Sequence, residues 1–556
     1  MLAFNIIIMK IYRNISALII LTILMITVSC KKDATFLTEI QKDNLNSSNA
    51  LLNVSQFNEM SASMYHYVQL FYNSADGNKD GWILGLGTDV CYDPRDATSK
   101  YNNWAIVNST DNYSGDWWSW QYSIIKVANT LIAGAANPAV TWPSDAVKNA
   151  TIAEARFFRG FAYRNLANVF GGVPIVSSPV TEAKVDFVKN TREEVYAFAK
   201  ADLTFAAANL PLTTTSPGRV VRAAADHILA EVDISLKDYD GAIAATTRVI
   251  DGTDGTYSLV KARFGARATE TDKNYYYDLF VIGNQNTQTG NNESIWNAQF
   301  EVTSSGGVVN GGVVNFRRPL IERMMWCNFW GLAKIGYNGT AVDSTGRGVG
   351  YVRPTNYTNY NIWANAGTDI RNSETCIKRR YYFGPVSVTG YKPKDLIPKS
   401  YLTAKDDTSI YVYPNWCKFG TDKHIGALPD NGYVRDFYII RLPETYFLRA
   451  EAYLDKGNTT QAAADLNVVR SRAQATPITS ANVTLDFILD ERARELFGEE
   501  FRVQTLGRLG LIYDRTKRFG SDASKASVQQ FNNLLPIPQT AIDRNVGAVL
   551  TQNPGY

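Results

Sequence analysis

The chain has 556 residues, and its 56 Lys+Arg against 53 Asp+Glu leave a formal net charge of +3; with no basic block beyond the N-terminal segment, nothing recommends nucleic acid as a partner. Three histidines, and five cysteines without a C-x-x-C pair, offer little material for a zinc centre or a histidine triad. The unusual feature is aromatic content, 11 Trp, 31 Tyr and 25 Phe, set among Asn- and Thr-rich segments. Rings and amides together suit carbohydrate, because a pyranose offers an apolar C–H face to a ring and hydroxyl edges to amides and carboxylates.

The first thirty residues read as a bacterial lipoprotein signal. Lys10 and Arg13 form a basic start, Ile15 to Val28 an apolar run, and Ser29 the small residue before Cys30, with Thr27 departing from the usual aliphatic residue. Met9 reads as the better start, since the charged residues then come at once. The run is somewhat short for a spanning helix, which wants ~20 apolar residues, so the expectation is a mature chain beginning at Cys30 and held by acyl chains on that residue. The following Lys31-Lys32-Asp33 resembles the charged tether by which some Gram-negative bacteria route lipoproteins to the outer face of the outer membrane.

Apolar residues recur at helical spacing over about 56–70 and 117–133. Between them, 73–115 has no sustained period and reads as a long functional loop. Within it Asp76-Gly-Asn-Lys-Asp80 sets oxygen ligands at short spacing, a conceivable structural calcium site that lacks the full EF-hand pattern; no other cofactor is expected. A strongly amphipathic helix over 152–170 ends at Gly171-Gly172 before Pro174, and another starts at Thr191 with Glu194 completing a capping box. Trp118 and Trp120, at helical spacing, read as core.

An internal repeat follows at a constant offset of 220: Ala230-Glu231 through Ala242 against Ala450-Glu451 through Ala462. Each reads as helix, polar turn, helix, with small residues that let paired helices approach as in tetratricopeptide units. From 251 to 436 the helical period fades, with short strands expected at 293–300 and 410–413. Helices resume over 442–455, 460–472 and 485–497, where Glu491, Arg492, Arg494 and Glu495 read as a helix-surface ion-pair set. The expected organisation is a signal over 1–29 and one interleaved domain over 30–556. Its scaffold comes from about 50–250 and 437–556 and carries a loop-rich insert from about 251–436.

Several segments, ordered along the whole mature chain, resemble the SusD/RagB family of outer-membrane nutrient-binding lipoproteins. They are Ala155-Arg-Phe-Phe-Arg-Gly-Phe-Ala-Tyr163 with Phe170-Gly-Gly-Val-Pro174, Leu442-Pro-Glu-Thr-Tyr446 with Arg449-Ala-Glu-Ala-Tyr453, Leu466-Asn-Val-Val-Arg470, Ile488-Leu-Asp-Glu-Arg492 with Glu495-Leu496, Leu535-Pro-Ile-Pro538 and Gln552-Asn-Pro-Gly-Tyr556. Val503-Gln504-Thr505 before Leu506, and Val546 after Asn545, depart from the family pattern and mark a divergent member. The resemblance implies a mostly α fold with tetratricopeptide-like helix pairs, no catalysis, and work with a TonB-dependent β-barrel of the SusC type. To this barrel the lipoprotein presents an oligosaccharide, or in some relatives a peptide.

The family carries no fixed ligand motif, so candidate ligand residues come from the chain itself: Asp89, Tyr92, Asp93, Arg95, Tyr101, Asn103 and Trp104 in the first loop, and Trp326, Asn328, Trp330, Tyr337 and Trp363 in the insert. Rings on loops over a rigid scaffold make a usual binding arrangement. Two rivals remain. A glycoside hydrolase needs two carboxylates ~5–10 Å apart, and no acid here stands in a recognisable catalytic context; a protein-binding adaptor needs only the helical repeats. An exported chain can pair Cys91, Cys327, Cys376 and Cys417 in three ways, among which spacing does not choose.

Overall fold

The computed structural model describes residues 51–71, 85–95, 98–100, 102–300, 309–310, 313–314, 321–342, 345–420 and 435–556. The signal and Cys30, the Asp76–Asp80 stretch and Tyr101 lie outside them. Twelve helices of six or more residues carry the described fold. In chain order they are α1 (Val54–Phe71), α2 (Asn112–Ala135), α3 (Asp145–Phe170), α4 (Arg192–Asn209), α5 (Arg222–Ser235), α6 (Tyr239–Ile250), α7 (Leu442–Asp455), α8 (Thr459–Arg472), α9 (Leu485–Leu496), α10 (Arg502–Leu509), α11 (Ile512–Phe519) and α12 (Asp522–Ser527). The fold is mostly α, and residues 53–556 cluster as one unit.

Local chemistry sets the helix ends. Ser144 caps α3 through the Val147 N–H, and Gly171 closes the helix at φ 75°. Gly172 follows because a Cβ there would stand 2.2 Å from the Asn190 carbonyl oxygen. Thr191 and Glu194 make the expected reciprocal capping box at the start of α4. The repeat is geometric as well as textual. The α5–α6 turn uses Lys237 at φ 62° and an Asp238 cap, while the α7–α8 turn uses Gly457 at φ 76° and an Asn458 cap. α6 packs on α7, so the two halves of the scaffold, far apart in sequence, share one core.

The strands are short. β1 (Cys91–Tyr92) pairs with β5 (Arg353–Pro354), β2 (Ser294–Ala298) with β8 (Phe437–Arg441), β3 (Val309–Asn310) with β4 (Val313–Val314), and β6 (Ile377–Lys378) with β7 (Asn415–Trp416), all antiparallel. β2 meets the strand expected at 293–300, and its Trp296 packs edge-on against Phe157 and Phe161 of α3 at 5.2 and 5.3 Å. The strand expected at 410–413 does not form. The Ile410 carbonyl is taken by the Asn328 N–H at 2.7 Å, Pro414 has no N–H to continue a ladder, and pairing starts at Asn415.

One expectation needs correction. Glu491 and Glu495 are fully buried, Arg492 and Arg494 nearly so, and the set is an internal ionic core rather than a helix-surface feature. Glu495 binds Arg371 and Arg441 at 3.0 Å each and Arg472 at 2.5 Å; Glu491 binds Arg371 and Arg470 at 2.7 Å. Burial alone would raise the Glu491 pKa, but Arg371, Arg494 and Arg470 outweigh it and hold the group at about 2. The spacing along α9 permitted surface pairs; partners arriving from the insert, β8 and α8 converted them into a layer that ties insert to scaffold.

Candidate functional site

A cleft of about 780 Å³ opens where three stretches of chain converge: the first loop, the insert and the C-terminal α11–α12 corner. The β1–β5 pairing starts it by setting Tyr92 opposite Arg353. Thr355 then anchors the next turn, with its N–H on the Val90 carbonyl at 2.9 Å and its hydroxyl on the Asp89 carbonyl at 2.6 Å. Thr355 also caps the one-turn helix Asn356–Asn359 by accepting from the Thr358 N–H. This short helix and the turn after it present Asn356, Tyr360 and Asn361 outward, Tyr360 being 47 % exposed. Facing them are Phe519, Ser521 and Asp522 at the α11–α12 corner, with Lys399 and Lys525 also on the rim.

The aromatic floor has a charged support. Tyr357 and Phe519 stack with centroids 4.1 Å apart and planes 21° from parallel. The Arg515 guanidinium lies over both rings, at 5.2 and 4.7 Å from their centroids. It donates to the Tyr357 hydroxyl, and Tyr357 in turn donates to Asp490. Arg515 is itself fixed by Asp89 at 3.0 Å and by Asp486 and Asp490 at 2.9 Å each. Burial pushes the Tyr357 hydroxyl well up, so it stays protonated and keeps its one proton on Asp490. At the edge, hydrogen bonds from Arg518 hold Asp486 at about 2.

Of the residues singled out from the sequence, Tyr92 and Asp93 line this cleft. Asp93 is nearly enclosed and takes a two-point pair from Arg95, whose guanidinium lies 4.2 Å from the Tyr351 centroid. Asn103 is half-buried and caps the turn at Trp104. Asp89, Trp104, Trp326, Tyr337 and Trp363 are buried, and the expectation that they present a sugar-binding surface does not fit their positions. Asp89 is clamped by Arg502 at 2.7 Å and Arg515 at 3.0 Å. The indole N–H of Trp104 donates to the Gly87 carbonyl, that of Trp326 to Trp416 and that of Trp363 to Thr358, at 2.7, 2.8 and 3.0 Å. Tyr337 packs on Phe329 at 5.6 Å. Trp330 and Asn328 are half-buried beside that cluster, with the Trp330 N–H on the Gly348 carbonyl. Each of these indole N–H groups has a backbone acceptor, so Trp104 serves the packing of the first loop and the other three rings the core of the insert.

The residues missed were Asn356, Tyr357, Tyr360, Asn361 and Phe519. A signal was there: Thr355-Asn-Tyr-Thr-Asn-Tyr-Asn361 alternates amides, hydroxyls and rings, the composition sought elsewhere. Phe519 carried none, since only the packing of α11 brings its last residue to Tyr357.

Comparison with known proteins agrees with this architecture. The model described as "SusD family" matches residues 292–556, and that described as "Starch-binding associating with outer membrane" matches 87–233. The chain belongs to the SusD/RagB family. A SusD-like protein of Bacteroides ovatus is 23 % identical over 89 % of this chain and 82 % of its own length. Among solved structures, a SusD homolog from Bacteroides thetaiotaomicron superposes with a TM-score of 0.69 at 18 % identity, covering 92 % of this chain and 98 % of its own. A laminarin-binding SusD-like protein does so at 0.64 and 22 % identity, covering 91 % and 100 %. The fold of this SusD-family chain is thus the family's, and no described helix is long and apolar enough to cross a membrane.

Proposed function

We propose that this SusD-family protein is a surface lipoprotein that captures an oligosaccharide in the Tyr92–Tyr360–Phe519 cleft and hands it to a SusC-like TonB-dependent barrel, without chemical change to the ligand. The observation that carries the reading is the juxtaposition in one cleft of an exposed ring, Tyr360, a supported ring pair, Tyr357 and Phe519, and the exposed amides Asn356 and Asn361. Tyr360 and the half-buried Phe519, which the buried Tyr357 backs, accept the apolar faces of successive sugars while amides and the Ser521 hydroxyl take their edges. Membership of the family, the outer-membrane description of one matching model and the laminarin-binding relative support it. Attachment at the membrane follows from acylation at Cys30, which keeps the cleft at the cell surface.

Calorimetry on the chain from residue 31 onward, against a panel that includes laminarin and starch, tests this reading. One polysaccharide class binds, its chain length is unchanged afterwards, and Tyr360→Ala weakens binding roughly fivefold, the loss of about 1 kcal/mol of ring contact. Glycan turnover, or binding indifferent to Tyr360→Ala and Phe519→Ala together, would contradict it.

A further inference from the structure

Cys376 and Cys417 lie one residue beyond the paired ends of β6 and β7. Ile377 is opposite Trp416 and Lys378 opposite Asn415, so the next antiparallel pair is Cys376 with Cys417. The Cys417 N–H donates to the Cys376 carbonyl at 2.8 Å, one of the two bonds of a hydrogen-bonded pair, while the Cys376 N–H turns to the Ser373 carbonyl at 3.0 Å. Directly opposite residues point to the same face, and in such a pair the Cα atoms stand about 5.5 Å apart, inside the roughly 4.4–6.8 Å a disulfide spans. Both side chains are buried in the cluster of Tyr276, Phe280 and Tyr438, where Cys376 Sγ also lies 3.5 Å from the Asn274 side-chain amide. All four described cysteines carry free thiols in this structure.

We propose that Cys376 and Cys417 are joined by a disulfide in the exported protein. The other two cysteines are placed elsewhere. Cys91 lies opposite Pro354, and Cys327 sits 3.5 Å from the Tyr381 hydroxyl within a different apolar cluster. Of the three connectivities the sequence allowed, those that pair Cys376 or Cys417 with Cys91 or Cys327 would require the β6–β7 pair to come apart. Two thiols lose their protons and one Sγ–Sγ bond forms. The two electrons and two protons pass to the disulfide of a thiol–disulfide oxidoreductase of the cell envelope, which leaves as its dithiol. The exchange belongs to the folding chain, before the cluster closes over both sulfurs; afterwards the same burial shields the bond from reductants. The bond closes residues 377–416, which carry the rim residue Lys399, into a covalent loop based on the Tyr276–Tyr438 cluster.

The test is differential alkylation of the full chain, exported in a Gram-negative host and unfolded directly into a light alkylating reagent, then reduced and treated with its heavy isotopologue. Peptide mass analysis is expected to find Cys376 and Cys417 heavy, joined in one cross-linked species before reduction, with Cys91 and Cys327 light as internal controls. In Cys376→Ser, Cys417 should move to the light class. Light label on Cys376 and Cys417 of the exported chain, or a cross-link from either to Cys91 or Cys327, overturns the proposal.

Discussion

Replacing Asp89 by Asn tests whether the cleft floor rests on a buried charge. The side chain keeps its shape and loses its charge between Arg502 and Arg515. Burial disfavours the carboxylate, yet the two guanidinium groups outweigh that and bring Asp89 from 3.8 to about 2, a differential of about 2 kcal/mol in favour of the native state. After substitution Arg502 retains Glu500 at 3.2 Å, and Arg515 retains Asp486 and Asp490 on its more exposed side. These limit the penalty that a lone buried cation would carry. The expected loss is therefore about 2–3 kcal/mol at pH 7, read as a lower urea midpoint with unchanged slope. The folded pKa is depressed, so the contribution is complete above the unfolded value near 3.8 and disappears as pH falls through about 2. Other acidic groups titrate in the same range, which makes the difference between wild type and Asp89→Asn the informative quantity. It should be constant from pH 7 to about 4 and close toward zero near 2. A variant within ~0.5 kcal/mol of wild type at pH 7, below the cost of losing even a modest charged hydrogen bond, or a gap that persists unchanged to pH 2, would refute the reasoning.

Glu495→Gln should cost more, about 3–5 kcal/mol by denaturant unfolding, because it leaves Arg371, Arg441 and Arg472 buried around a neutral amide; a loss under ~1 kcal/mol would show that the cluster rearranges freely. Trp104→Ala, a substitution the sequence reading would have aimed at the ligand, should instead lower stability by about 3–5 kcal/mol, since the ring is buried and its N–H is bound to Gly87. Glycan affinity that falls in Trp104→Ala with the unfolding midpoint unchanged would return Trp104 to the binding surface.

The helical scaffold was legible because its signals are local. Thr191 with Glu194, Gly171 before Pro174, and Ala-Glu at both 230–231 and 450–451 each act within one or two turns, and the helices over 442–455 and 459–472 fell within a residue of expectation. Tyr92 and Asp93 were legible as part of a ring-and-acid cluster, and they line the cleft. The tryptophans misled for a physical reason: a large ring with a single N–H suits a sugar platform and a core that supplies one backbone carbonyl equally well. Composition records the ring but not where that carbonyl lies. Trp326 and Trp363 found theirs inside, on Trp416 and Thr358.

By itself the sequence determined the family, the helix pairs and their turns. Only the tertiary structure brings Tyr92, Tyr360 and Phe519 to one cleft, because they come from segments more than 150 residues apart whose meeting depends on the β1–β5 register and on the pair that Asp89 makes with Arg515 of α11. It also decided that Glu491 and Glu495 face inward, since helical spacing states which residues share a face but not what packs against it. Cys376 and Cys417 are the same case: forty intervening residues conceal a pairing that two residues of antiparallel register make plain.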